Sequence, residues 1–235
     1  MLQEFPMSTA APPICDMTVV ELAARVGPVP FYRVRTDPSP GTATEEDVLR
    51  IQCEEDRICE LIDGVLVEKA VSDQTAGLAS EIVRMLGNVV VPGRLGWIRG
   101  PDGFVRLFGT QLRAPDVSFV RRDQRAEQPL LDEGFSDVAP ALAVEVCSSG
   151  NNVEELEQKR TEFFTAGTEL FWIVYPDRQV IEVSTSSEGH TILGRDDTLD
   201  DGAVLPGFSV RVGDVFDAID LRPAQKSGGE SAPQN

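Results

Sequence analysis

Two acidic residues in the second half of the chain have the character of a metal-dependent hydrolytic site. Asp116 stands at the head of an alternating apolar run, residues 117–120, which predicts a β-strand. Glu145 interrupts the apolar run 141–146, whose length and β-branched content are typical of a strand covered on both faces. A carboxylate in such a strand is costly to bury unless it is protonated, paired or bound to a metal. These two residues are therefore the first candidates for chemistry.

The chemistry that these residues could support is hydrolysis assisted by a hard cation. If the two strands are neighbours in one sheet, Asp116 and Glu145 could hold Mg²⁺, or Mn²⁺ in its place, with the carbonyl oxygen of Val146 as a third ligand. Such a cation lowers the pKa of a bound water and stabilises charge on a phosphoryl oxygen. The competing interpretation of Asp116 is an ordinary turn residue after a proline.

A strand, a short loop and a helix carry the second part of the predicted site. Asn151 or Asn152 can cap a helix that we expect over residues 153–165, with Gly167 at its end. Lys159 falls at the edge of the buried arc of this helix and would assist the attacking water. A solvent-exposed lysine is the alternative, and Arg160 is a competing cation.

Cys147 lies on the same strand face as Glu145, at the position from which a lysine would reach a metal most directly. A thiol at its usual pKa carries no positive charge, so Lys159 is the expected substitute. Cysteine nucleophile chemistry is disfavoured because His190, the single histidine, lies in a hydrophilic segment.

The remaining elements follow from capping and turn signals. Asp63-Gly64 predicts a tight hairpin, in which Glu60 points either inward or out from an edge strand. Further helices are expected after Thr44 and from Ser72 to about residue 90. Additional strands are expected within 97–120 and at 170–175, 180–184, 191–193 and 209–212. We expect an extended or partly disordered N-terminal arm over residues 1–43, a single domain over 44–221 and a disordered tail over 222–235.

Composition narrows the class of protein. The 235-residue chain contains no apolar stretch long enough to span a bilayer, no signal-peptide pattern and no CxxC pair, which favours a cytoplasmic protein with reduced thiols and no membrane partner. The net charge of −18 counts against tight DNA binding. The arginines that could form a basic surface are interpreted as solubilising loop charges: Arg94, Arg99, Arg106, Arg113, Arg121, Arg122 and Arg125.

A series of segments in a fixed order resembles a known family. The segments are ELIDG (60–64), RAPDVSFV (113–120), LAVEVCSSGN (142–151), AGTELFWIVYP (166–176) and LPGFSV (205–210), with Lys159 and Phe163 between them. Together they resemble the Uma-type restriction endonuclease family of the PD-(D/E)XK nuclease superfamily, over about residues 44–217. The resemblance implies an α/β (α+β), restriction-endonuclease-like core in which helices flank a mixed central β-sheet.

The resemblance also implies a function and a set of site residues. It implies Mg²⁺-dependent cleavage of phosphodiester bonds in nucleic acid, DNA rather than RNA, by a homodimer. By position, Asp116 and Glu145 would bind the metal, Glu60 would be an outlying acid of the site, and Lys159 would be the lysine that has moved from the strand to the following helix.

Two positions differ from what is common in the family. A histidine is usual near the start of the helix after the hairpin, where this chain has Gln74 and Thr75, and a tyrosine is usual at Phe163. These differences motivate a second hypothesis, in which a catalytically weakened nuclease fold binds a protein or a nucleic acid.

Overall fold

Two β-sheets meet where the chain passes from residue 113 to residue 117, and this junction positions the candidate residues. The structure is a computed structural model that describes residues 17–125, 134–200 and 202–219. Residues 1–16 of the expected arm and the whole expected tail, 222–235, lie outside the described residues, as does the middle of the segment 121–139.

The first sheet has four strands and contains the predicted hairpin. Its order is β2-β1-β5-β4. Asp63 and Gly64 both have positive φ, which is the backbone conformation that tight hairpin turns require, so the turn prediction is confirmed. The strands are β1 (Cys59–Ile62), β2 (Val65–Glu68), β4 (Val105–Arg106) and β5 (Leu112–Arg113).

The second sheet has six strands in the order β10-β9-β8-β7-β6-β3 and mixes parallel with antiparallel pairs. The strand containing Glu145 pairs antiparallel with the strand that follows Asp116, which meets the condition set for a shared site, and it pairs parallel with β8. Its strands are β3 (Gly96–Arg99), β6 (Val117–Arg121), β7 (Leu142–Val146), β8 (Leu170–Tyr175), β9 (Val180–Ser184) and β10 (His190–Leu193). A separate pair, β11 (Thr198–Asp200) and β12 (Ser209–Arg211), packs nearby; β11 was not predicted.

The helices are α1 (Val19–Val26), α2 (Glu45–Glu55), α3 (Asp73–Gly93), α4 (Val153–Thr165) and α5 (Val212–Asp217). Three of the helices, α2, α3 and α4, begin at the capping residues that the sequence predicts. Ser72 caps α3, and the side chain of Asn152 accepts a hydrogen bond from the backbone N–H of Glu155 at the start of α4. Gly167, with φ +103°, follows the end of α4. Within the described residues, no helix is long and apolar enough to cross a membrane.

The six-stranded sheet is covered on both faces, which explains why its central strands are buried throughout. One face packs against α3 and α5 around Trp172, and the other packs against α4 around Phe163 and Phe171. The expected α/β (α+β) architecture, a mixed central sheet flanked by helices, is therefore confirmed. Val144 and Val146 point into the cluster around Trp172. Because side chains alternate along a strand, Glu145 lies on the opposite face, which packs against α4.

Part of the expected N-terminal arm packs against the domain. Residues 31–33 form a 3₁₀ turn, and Val34 makes an isolated bridge with Val67 of the hairpin. Arg33 is buried and pairs with Glu155 of α4 at 2.8 Å. Helix α4 is therefore held between the six-stranded sheet and this segment. Val153, the first residue of α4, is 54% exposed.

Candidate active site

Asp116 and Glu145 occupy facing positions on neighbouring strands. Val117 pairs with Val144 in the antiparallel register. Asp116, the residue before Val117, therefore lies opposite Glu145, the residue after Val144. The carboxylate of Asp116 is fixed at one oxygen: its Oδ2 accepts a hydrogen bond from the backbone N–H of Val146 at 2.7 Å. The structure thus places the two predicted carboxylate ligands at facing positions, with the backbone of Val146 bonded to one of them.

Lys159 joins this pair to Glu60 of the other sheet. Its Nζ lies 3.1 Å from Oε1 of Glu145 and 3.0 Å from Oε1 of Glu60. The lysine side chain is 1% exposed, so the alternative of a solvent-exposed helix lysine is wrong. Glu60 points inward, toward α4. Arg160, the competing cation, instead pairs with Glu182 on β9 at 2.8 Å.

Arg113 was missed as a member of this cluster and is not a solubilising loop charge. Its side chain is 2% exposed and donates to Oε2 of Glu60 at 2.8 Å. Its Nε and Nη2 atoms also donate to the two carboxylate oxygens of Glu162, at 2.7 and 2.9 Å. The alternation of β5 contains the signal: Leu112 packs in the apolar cluster beneath α2, so its neighbour must face the other way.

Lys69, two residues after Val67, was also missed. Its Nζ lies 2.9 Å from Oδ1 of Asp116 and also donates to the carbonyl oxygen of Ala114. Val67 is opposite Glu60 in the hairpin register, and period-two alternation carries Lys69 to the same face. Sequence alternation alone could therefore have placed this lysine on the face of Glu60.

The buried charges shift one another's pKa values in opposite directions. Burial raises the pKa of Glu145 from 4.5 to about 7, although the ammonium groups of Lys159 and Lys69 oppose that rise. Burial also favours a high pKa for Glu60, but Lys159 and Arg113 outweigh it and hold that pKa well below its ordinary value. Burial lowers the pKa of Lys159, and the carboxylates of Glu145 and Glu60 more than reverse the effect.

The oxygen atoms present fit a hard divalent cation. Glu145 uses Oε1 for its contact with Lys159, and no described residue donates a hydrogen bond to its Oε2. Asp116 Oδ1 and the carbonyl oxygen of Val146 are further oxygen donors of the kind Mg²⁺ prefers. Across the described ranges, no group of three or more His, Cys, Asp or Glu side chains is arranged to hold a metal, so two carboxylates, a carbonyl and water molecules would complete such a site.

A cavity of about 310 Å³ gives access to Asp116. It lies between the first half of α3 and the turn after β3, and its lining includes Val71, Thr75, Ser80 and Pro101. Thr75, one of the positions that differ from the family pattern, bonds with the capping residue Ser72 and borders this cavity.

The other positions singled out in the sequence lie away from the carboxylates or carry no charge. Phe163 is fully buried, and its ring centroid is 5.5 Å from that of Phe171, so it serves the core beneath α4. Cys147 packs at the edge of the same apolar cluster, and burial raises the pKa of its thiol. Neither residue contacts the carboxylates through an ionic group.

The sequence profile of the Uma2 family, described as "Putative restriction endonuclease", matches residues 45–213, more than two thirds of the chain. The chain belongs to the Uma2 family. The match spans both sheets and all of the candidate site residues, including Lys69 and Arg113. The resemblance inferred from the sequence segments is therefore confirmed.

A solved structure shares the fold of this Uma2 member. It is described as a putative nuclease belonging to DUF820 from Anabaena variabilis, and the similarity has a TM-score of 0.62 at 19% sequence identity. The similarity covers 74% of this chain and 98% of the other. No curated protein matches this chain.

Proposed function

We propose that this Uma2 member is a Mg²⁺-dependent endonuclease that hydrolyses phosphodiester bonds of nucleic acid, DNA rather than RNA. The observation that carries the proposal is the placement of Asp116 and Glu145 at facing strand positions, with Lys159 within 3.1 Å of Glu145. Membership of a family described as restriction endonucleases supports the same reaction. We further propose that it acts as a cytoplasmic homodimer.

Three residues would hold the metal, and two others would arrange the reacting groups. Asp116, Glu145 and the carbonyl oxygen of Val146 supply hard oxygen ligands, and the N–H of Val146 fixes the carboxylate of Asp116. Bound Mg²⁺ would lower the pKa of a water and stabilise charge on the phosphoryl oxygen. Lys159 keeps Glu145 in place and brings positive charge to the side of the attacking water, while Glu60 fixes the ammonium group of Lys159.

The experiment that tests this proposal measures metal binding and cleavage in the same proteins. Mg²⁺ and Mn²⁺ are titrated calorimetrically into wild type, Asp116→Ala and Asp116→Asn, and nicking of supercoiled plasmid is followed at low salt. We expect both substitutions to remove metal binding and to reduce nicking at least about 100-fold, because one metal ligand is lost.

Asp116→Asn serves as the conservative variant because it keeps the size of the side chain beside Lys69. Circular dichroism of each variant separates a lost site from a lost fold. Undiminished nicking by a folded Asp116→Asn protein would remove our assignment of this residue. A wild type that binds no divalent metal would favour the second hypothesis, a fold that binds a protein or a nucleic acid without cleaving it.

A further inference from the structure

Lys69 places a positive charge on an oxygen that the proposed metal needs. Its Nζ is 2.9 Å from Oδ1 of Asp116, and it also contacts the carbonyl oxygen of Ala114. The other carboxylate oxygen of Asp116 is already occupied by the N–H of Val146. Oδ1 is the oxygen of Asp116 that has no hydrogen bond to the backbone of Val146, and it is the oxygen that Lys69 holds.

A backbone hydrogen bond, burial and an ion pair fix the position of Lys69. The backbone N–H of Lys69 donates to the carbonyl of Ile58, which extends the hairpin pairing past β2. The lysine side chain is 4% exposed. Its stem is thus held by the hairpin, and its ammonium group ends against Asp116. Because the side chain is enclosed, its ammonium group has few alternative positions.

When all of its carboxylates are ionised, the site has one more negative charge than positive charges. Four carboxylates, Glu60, Asp116, Glu145 and Glu162, lie against three cations, Lys69, Lys159 and Arg113. Four negative charges minus three positive charges leave one net negative charge. The charge of Lys69 acts on other carboxylates besides Asp116, since it also lowers the pKa values of Glu145 and Glu60.

We propose that Lys69 is a tethered counter-ion that competes with the divalent metal for Asp116. A metal binds only by displacing the ammonium group of Lys69 from Oδ1, so Lys69 weakens metal binding and sets the metal concentration at which the site fills. This inference rests on the proposed function, because it concerns the metal of that same site. In metal-free protein, Lys69 offsets the negative charge that the carboxylates would otherwise hold together in a buried place.

Two properties of the contact support displacement over simultaneous binding. The lysine ammonium uses a carboxylate oxygen and a backbone carbonyl, the same classes of donor that a hard cation takes. Two cations that share one carboxylate oxygen in a buried site also repel each other strongly, because charges there are poorly screened. The site therefore accommodates either Lys69 at Asp116 Oδ1 or a divalent cation.

The decisive measurement is the dissociation constant of Mn²⁺ in metal-free protein, by isothermal titration calorimetry. Wild type is compared with Lys69→Met, which keeps the apolar stem and removes the charge. We expect Lys69→Met to bind Mn²⁺ at least about 10-fold more tightly, since the site gains one net negative charge and a free ligand oxygen.

Two further variants separate competition at Asp116 from other effects. Arg84→Met removes one positive charge from an exposed position on α3 and should leave the dissociation constant within about 2-fold of wild type, because exposed charges are screened by salt. Lys69→Arg keeps the charge at the site, and its planar guanidinium can hold a carboxylate through two hydrogen bonds, so its affinity for Mn²⁺ should equal or fall below that of wild type.

Thermal unfolding gives a second readout that does not depend on cleavage. Metal-free Lys69→Met should melt at a lower temperature than wild type, since Asp116 loses its buried partner. The same saturating concentration of Mn²⁺ should then raise the melting temperature of Lys69→Met more than that of wild type or Arg84→Met, because stabilisation by a ligand grows with the logarithm of its concentration divided by the dissociation constant.

The outcomes distinguish this inference from the proposed function. Wild type that binds Mn²⁺ and nicks plasmid, together with a Lys69→Met protein that binds no more tightly, would overturn the competition and keep the nuclease. Tighter binding by Lys69→Arg than by wild type would overturn the competition even if Lys69→Met did not fold. Binding by Lys69→Met but not by wild type would support the competition and count against wild type as a working nuclease, and binding by neither would overturn both.

Discussion

At the scale of single residues, the candidate site is a set of buried charges whose ionisation depends on their immediate neighbours. Glu60 and Glu145 are both buried and both contact Lys159, yet their pKa values move in opposite directions. The difference arises because Glu60 also pairs with Arg113, whereas Glu145 lies beside the carboxylate of Asp116. A second cation therefore keeps Glu60 ionised, and Glu145 remains close to protonation at neutral pH.

The raised pKa of Glu145 makes the stability of metal-free protein depend on pH. Because the folded pKa of about 7 lies above the ordinary 4.5, the folded state retains a proton that the unfolded state releases between these values. The Glu145 contribution to the free energy of unfolding should therefore be fully present below about pH 4.5 and be lost as pH rises through 7, by about 3 kcal/mol in total.

Urea denaturation of metal-free wild type and Glu145→Gln between pH 5 and pH 8 measures this contribution. The neutral amide cannot titrate, so the difference in unfolding free energy between the two proteins should shift in favour of Glu145→Gln as pH rises. A constant difference over that range would show that Glu145 has an ordinary pKa.

Arg113 supports two carboxylates, so its removal should destabilise the fold. Arg113→Met leaves Glu162 without its bidentate partner and removes one of the cations next to Glu60. We expect a loss of about 3–5 kcal/mol in the free energy of unfolding, the usual cost of leaving buried charge uncompensated. Arg57→Met, which removes an exposed arginine that pairs with Glu68, should cost about 1 kcal/mol or less when measured by the same urea titration. Equal losses in the two variants would contradict the structural role of Arg113.

At the scale of elements, helix α4 connects the two sheets because it carries two different stripes. Leu156 and Phe163 face the apolar cluster on the six-stranded sheet. Glu155, Lys159 and Glu162 follow at helical spacing on a neighbouring stripe, where they meet Arg33, Glu60 and Arg113. A modest rotation of α4 about its axis would separate Lys159 from its two carboxylates.

The N-cap of α4 should therefore make a measurable contribution to stability. Asn152→Ala removes the side-chain oxygen that accepts from the N–H of Glu155, and we expect the free energy of unfolding to fall by about 1 kcal/mol. Asn152→Ser keeps a cap acceptor and, like alanine, lacks the Nδ2 group that donates to the carbonyl oxygen of Pro28, so it should lose less stability than Asn152→Ala. Thermal or urea unfolding of the three proteins provides the comparison, and identical losses for alanine and serine would argue against a capping role.

At the scale of the whole molecule, the strong acidity of the chain constrains how it could meet nucleic acid. The net charge is −18, and the cations of the candidate site are each paired with a carboxylate. The cations of the candidate site are therefore not free to replace the counterions of a phosphate backbone. Association would depend on the metal and on contacts close to it, and would receive little help from long-range attraction.

This charge distribution predicts a shallow salt dependence. DNA affinity of the wild type, measured by fluorescence anisotropy in Ca²⁺, should fall with salt with a log–log slope smaller in magnitude than about 2, which corresponds to about two neutralised phosphates or fewer. A slope of about 5 or more would reveal an extended basic surface and contradict the structure. Ca²⁺ is used so that binding is measured without cleavage.

The sequence by itself determined most of the secondary-structure elements and identified the acidic residues of the candidate site. Alternation and capping predicted the hairpin at Asp63-Gly64, helix α4 and the buried strands β7 and β8, because these signals act over a few residues. An acid in a fully apolar strand needs a partner for the same local reason, so Glu145 was identifiable without the fold. The family resemblance rested on such local segments in their order.

Only the tertiary structure decided which charges meet. Lys69 and Asp116 are separated by several elements, and Arg113 and Glu162 lie in different layers, so no spacing rule links them. Their contacts arise because the chain passes from the first sheet to the second at residues 114–116, which brings the hairpin, β7 and α4 to one point. Ion pairing at that point follows from distance and burial, which are properties of the packed molecule. Alternation alone indicates the strand faces of Lys69 and Arg113, but their partners could be identified only once both sheets were in position.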